Sequence, residues 1–92
     1  MTDILDQTIR PSPDAYAQGV ADETVLLQIR RGAYYGMDAV GTLIWQGIQD
    51  GRSPRDICAA IAAQFEVPVE TVQADARRFL EDLVANDIVS IG

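Results

Sequence analysis

Hydrophobic and polar positions alternate with a period of two through the first third of the chain and with a helical period after it. Thr24 to Arg30 alternates most cleanly, with Val25, Leu27 and Ile29 in one phase and Leu26, Gln28 and Arg30 in the other. That pattern predicts a strand. Before it, Ala15 to Val20 puts Tyr16, Gln18 and Val20 in one phase and predicts a weaker strand, with the turn at Ala21-Asp22-Glu23. After it, Gly32 is suited to the positive φ that closes a hairpin on to a third strand, Ala33 to Met37, reading AYYGM. Three consecutive strands form a meander, with the first and third at its edges.

From Asp38 onward the period changes. Asp38 suits the N-cap of a helix from Ala39 to Asp50, with Val40, Leu43, Ile44 and Ile48 on one side, Gly41 and Trp45 flanking, and Gly51 as the stop. Ser53 followed by Pro54 marks a second start, and Asp56 three residues on complements the cap and the helix dipole. The second helix buries Ile57, Cys58, Ile61, Ala62 and Phe65. Pro68 marks the next boundary, and Val69 to about Ala85 predicts the longest helix, with Val69, Val72, Ala76, Phe79, Leu80 and Leu83 at spacings of three and four. Asn86 ends it in a left-handed turn, and Ile88 to Ile91 adds a short closing strand. The stripe of this helix is broad, with Ala76 and Leu80 to one side of Val72, Phe79 and Leu83, which implies apolar surface beyond what a core needs. The expected fold is α+β and winged helix-turn-helix-like: a three-stranded antiparallel sheet followed by three helices. Residues 1–14, with Pro11 and Pro13 and little periodicity, read as an N-terminal arm, ordered only if something holds it. Residues 15–92 read as a single domain.

Composition narrows the function. A chain of 92 residues supports one core and no deep enclosed cleft, since it buries only roughly 60–65% of its unfolded surface. Seven basic residues, all Arg, stand against fourteen acidic ones, a formal charge of −7. Such a surface repels phosphate backbones and anionic lipid. The chain has no His, so it lacks the usual neutral-pH proton shuttle and imidazole metal ligand, and no Lys, so it has no Schiff-base or P-loop lysine. Neither a catalyst nor a cofactor or metal site is expected. One Cys excludes an internal disulfide, and the acidic N-terminus lacks a secretion signal, which together point to the cytoplasm. Cys58 reads as a packed core thiol. The acids of the last helix, Asp75, Glu81 and Asp82, interleave with Arg77 and Arg78 and read as a solvated, ion-paired face.

The third strand follows a tight turn, and nothing later reads as a long strand to pair with it. That leaves an open edge, able to accept an extended peptide as an added strand. Gly36 reduces side-chain bulk where a partner would approach. The alternative is a winged-helix DNA-binding regulator, which would place the start of the last helix against bases and phosphates. That start reads Val69-Glu70-Thr71-Val72-Gln73-Ala74-Asp75, two acids and no base. A carrier protein would need an Asp-Ser-Leu-type attachment serine at a helix start, and there is none.

The aromatic pair Tyr34-Tyr35, Met37-Asp38, Gly41 with Ile44-Trp45, Asp50-Gly51, the apolar second helix, and Asp75 followed by Phe79-Leu80 and Leu83 together resemble the PqqD-like family, the RiPP recognition elements. The resemblance runs from about Ala15 to Ile91, and the Ile-Trp pair draws it towards stand-alone members of lasso-peptide clusters. Where the family usually has Leu-Asn this chain has Met37-Asp38, a mild departure because Asn and Asp both cap helices. The resemblance implies a non-catalytic protein that binds the leader of a ribosomally made precursor and presents it to maturation enzymes, in lasso clusters a leader peptidase and a cyclase. A chaperone of another such pathway, or of quinone-cofactor synthesis, is the alternative within the family. The implied site has Ala33, Tyr34, Tyr35, Gly36 and Met37 on the strand side and Val72, Asp75, Ala76, Phe79 and Leu80 on the helix side. Asp75 or Arg78 would select charge at the rim. Neither nucleic acid nor membrane is an expected partner, and the protein is expected to be a monomer or weak homodimer.

Overall fold

The computed structural model describes residues 3–20 and 23–92. The chain forms strands β1 (Ile9–Pro11), β2 (Ala15–Val20), β3 (Glu23–Gln28) and β4 (Ala33–Met37), then helices α1 (Ala39–Gln49), α2 (Pro54–Phe65) and α3 (Val69–Ala85), and finally β5 (Val89–Ile91). The fold is α+β, with an antiparallel meander in the order β2-β3-β4 followed by three helices. A second, two-stranded sheet pairs β1 with β5.

The closing strand therefore returns to the N-terminal segment and not to the meander. A single 3-10 turn at Ile4–Asp6 precedes β1 and seats Leu5, fully buried, in the core. Asp3 holds this turn to α3, accepting hydrogen bonds from Arg77 Nη2 at 2.8 Å and Nε at 3.1 Å. Asp6 accepts from Arg55 Nε of α2 at 2.6 Å.

β3 ends two residues sooner than the alternation predicts, because Gln28 is bonded elsewhere. Its side-chain oxygen accepts from Arg30 N at 2.9 Å, and its amide nitrogen donates to Asp87 O at 2.6 Å. Ile29 and Arg30 thus enter the turn, where Gly32 takes φ 66°. The turn expected at Ala21-Asp22-Glu23 lies partly outside the described residues, and Glu23 itself opens β3.

The helix caps follow the sequence. Asp38 Oδ1 accepts from Gly41 N at 2.7 Å and Ser53 Oγ accepts from Asp56 N at 3.2 Å. Three packing expectations need correction. α1 is rotated so that Trp45 is 1% exposed while Val40 and Leu43 are only half-buried. Phe65, expected inside, is exposed at the end of α2. The left-handed residue after α3 is Asp87, φ 56°, not Asn86. Cys58 is buried, and burial pushes its thiol pKa up, so it stays a protonated core residue. Among the described residues, no helix is long and apolar enough to cross a membrane.

Candidate functional site

β4 pairs with β3 along one side, and among the described residues nothing pairs with the other. The two segments that could have covered it, the N-terminal arm and the C-terminal tail, pair with each other. A strand left at a sheet edge keeps a row of N–H and C=O groups available.

Alternation along β4 divides its side chains. Ala33, Tyr35 and Met37 turn towards the helices, whereas Tyr34, 77% exposed, and Gly36 turn away. Tyr35 is fixed at both ends. Its ring meets Phe79 of α3 edge-on at a centroid distance of 5.6 Å, and its hydroxyl donates to Asp82 Oδ2 at 3.3 Å. Burial, with the Asp82 carboxylate adding to it, raises the phenol's pKa above its ordinary value, so it remains a neutral donor.

Between β4, the start of α1 and the outer side of α3 runs a groove of about 350 Å³. Its apolar surface comes mainly from half-buried Tyr35, Val40 and Phe79, with the core residues Met37 and Ile44 beneath, and Gly41 opens it next to the α1 cap. A Cβ on Gly41 would stand 3.3 Å from Asp38 Oδ1 and 3.5 Å from the Phe79 ring, so a methyl group would crowd the cap and fill the space up to the wall. The rim is charged. Asp75 and Arg78 form an exposed ion pair at 2.9 Å, and Asp38 and Asp82 add two further carboxylates.

Of the residues expected on the strand side, Tyr35, Gly36 and Met37 line this groove, while Ala33 and Tyr34 belong to the open strand without lining it. On the helix side Asp75 and Phe79 line it. Val72, Ala76 and Leu80 do not, being core residues at 5%, 1% and 0% exposure. The surplus of apolar surface expected on α3 is therefore absent, because α2, the N-terminal 3-10 turn and β5 cover that stripe, with α1 adding a smaller contact. Arg78, an open alternative in the sequence, lies on the groove together with Asp75. Sequence reasoning missed the α1 wall and Asp82. The spacing 75, 78–79, 82 puts one face of α3 in line, and that periodicity was the signal for Asp82.

The family model described as Coenzyme PQQ synthesis protein D (PqqD) matches residues 23–89, from the start of β3 into β5. The chain belongs to the PqqD family. Among solved structures, this PqqD-family chain is similar to TbiB1 in complex with the TbiA(beta) leader peptide, at 36% identity and TM-score 0.79, covering 88% of this chain and 94% of that one. It is also similar to a lasso peptide synthetase B1 complexed with the leader peptide, at 25% identity and TM-score 0.81, covering 90% of this chain and 98% of that one. No curated protein matches it.

Proposed function

We propose that this PqqD-family protein is a non-catalytic module of lasso-peptide biosynthesis. It binds the leader segment of a ribosomally made precursor as a fourth strand on β4 and presents that precursor to a leader peptidase and other maturation enzymes in the cytoplasm. The observation that carries this reading is an unpaired edge lying directly beside a groove with apolar walls. The leader-peptide complexes of its two structural relatives support it.

The two halves of the site do different work. Alternate residues of the five-residue β4 turn both main-chain groups outward, enough for about four to six hydrogen bonds to an added strand. Each contributes about 0.5–1.5 kcal/mol net and none depends on sequence. Sequence preference comes from the groove, where every second peptide side chain meets Tyr35, Val40 and Phe79.

The test is a titration of fluorescein-labelled leader peptides from precursors encoded beside the gene, with the TbiA(beta) leader as reference and a DNA duplex as control. Saturable peptide binding without a DNA response is expected, and the reverse would overturn the reading. A preference for the leader of a quinone-cofactor precursor would move the protein to that branch of the family. Proline at Tyr34 and at Tyr35 tests the strand itself, because adjacent amides point to opposite sides of β4. One substitution removes an outward donor and abolishes binding while the melting temperature holds. The other removes a β3–β4 bond and lowers the melting temperature. Normal binding by both variants would exclude strand addition.

A further inference from the structure

Gly36 serves no purpose evident within its own chain. Its φ is not positive, unlike those of Gly32 and Gly51, and a Cβ built on it would meet nothing within 4 Å. Glycine in a strand is unfavourable, since it orders the most flexible backbone and contributes no packing. An added strand does not need it either. Side chains in a sheet stand perpendicular to it, so one at position 36 would leave the row of main-chain groups accessible.

The main chain of Gly36 borders the groove, but what its missing side chain leaves bare is part of the sheet's outer face, on the opposite side. There Tyr16, Leu27 and Tyr34 form one cross-strand row, and Gln18, Val25 and Gly36 form the next. Val25 is half-buried, and Gly36 gives it no cover from the β4 side. Tyr34, two residues back on the same face, walls the bare spot.

We infer that Gly36 sets the size of one residue in the bound peptide: the residue registered against it carries a large apolar side chain, which lies across the glycine towards Val25 with Tyr34 alongside. Cross-strand neighbours lie close enough for such cover, and a bulky side chain opposite a strand glycine compensates for its missing contacts. This rests on the strand-addition reading and extends it. The groove reads one phase of the peptide and the outer face reads a single position of the other.

The experiment uses a phage-displayed random peptide library selected on the intact protein and on its Gly36→Val and Gly36→Ala variants, both expected to melt no lower than the wild type. The wild type should enrich peptides with a large apolar residue at one fixed position. Gly36→Val should enrich Gly, Ala or Ser there with the remaining consensus unchanged, and Gly36→Ala a residue of middle size. For synthetic peptides, Gly36→Val should weaken the wild-type consensus roughly tenfold, and Ala at the matched peptide position should restore most of that loss. An unchanged consensus on both variants, or loss of all peptides from both, would overturn the inference and leave strand addition standing. Failure of the wild type to enrich any peptide would instead remove strand addition, and this inference with it.

Discussion

At the residue scale, two adjacent arginines of α3 have separate duties. Arg78 lies on the groove, whereas Arg77 holds Asp3 and with it the N-terminal turn that seats Leu5. Asp3 also caps that turn, accepting from Leu5 N at 3.1 Å, and has Arg55 Nη2 at 3.5 Å. The hydrogen bond from Arg77, aided by the backbone bond from Leu5, lowers the Asp3 pKa from 3.8 to about 2. The folded value is depressed, so the linked stabilisation is complete above the ordinary carboxylate pKa and disappears as pH falls through about 2. Asp6, lowered by Arg55, acts in the same direction. Asp3→Asn should therefore melt below the wild type near neutral pH, and the two melting temperatures should converge at the acid limit. Thermal melts followed by circular dichroism across that range check this, and a gap independent of pH would refute it.

At the scale of elements, the tightest fit is between α1 and α2. A Cβ on Gly47 would stand 2.6 Å from both Cγ1 and Cδ1 of Ile57, which is 2% exposed, so its side chain must leave its packed position to admit a methyl group. Gly47→Ala should cost about 1–3 kcal/mol by overpacking, although alanine is intrinsically the better helix former. Urea unfolding followed by the fluorescence of buried Trp45 measures it, and a variant as stable as the wild type would show that the helices can separate without loss. Nothing local in the sequence announces that contact, because Gly47 and Ile57 lie on different helices. The same distinction separates the legible features from the illegible ones. The caps at Asp38 and Ser53, the start after Pro68 and the edge position of β4 are local signals, and all are visible in the chain. The early end of β3 depends on a hydrogen bond from Gln28 to Asp87, and the β1–β5 sheet on two three-residue strands at opposite ends of the chain. The α1 wall of the groove was illegible for a related reason: Val40 and Ile44 look like ordinary stripe residues until α1 is docked against β4 and Phe79.

At the scale of the whole molecule, charge should bias which peptides approach the proposed site. The chain carries −7, and its groove holds three carboxylates, Asp38, Asp75 and Asp82, against the single guanidinium of Arg78, a local balance of −3 + 1 = −2. Asp75 and Arg78 largely offset each other at 2.9 Å, which leaves Asp82 and Asp38 to set the sign of the field at the rim. A peptide with a basic residue beside the groove should be drawn in faster and bind more tightly than the same peptide with Gln there. The rim is solvated, so this preference should fade as the screening length falls below roughly 10 Å, at about 0.1 M salt and above. The hydrogen-bonded edge and the apolar wall are far less sensitive, which makes the response of each peptide to salt diagnostic of which part of the site it uses. Asp82→Asn isolates the charge, because an amide oxygen can still accept from the Tyr35 hydroxyl. On that variant the Lys peptide should lose affinity and most of its salt dependence while the Gln peptide scarcely changes. Stopped-flow association and equilibrium titration with the matched pair, at low and high salt, supply the four comparisons. Equal salt responses from both peptides on the wild type would mean that the acidic rim plays no part in selection and that its carboxylates serve only to cap α1 and hold Tyr35.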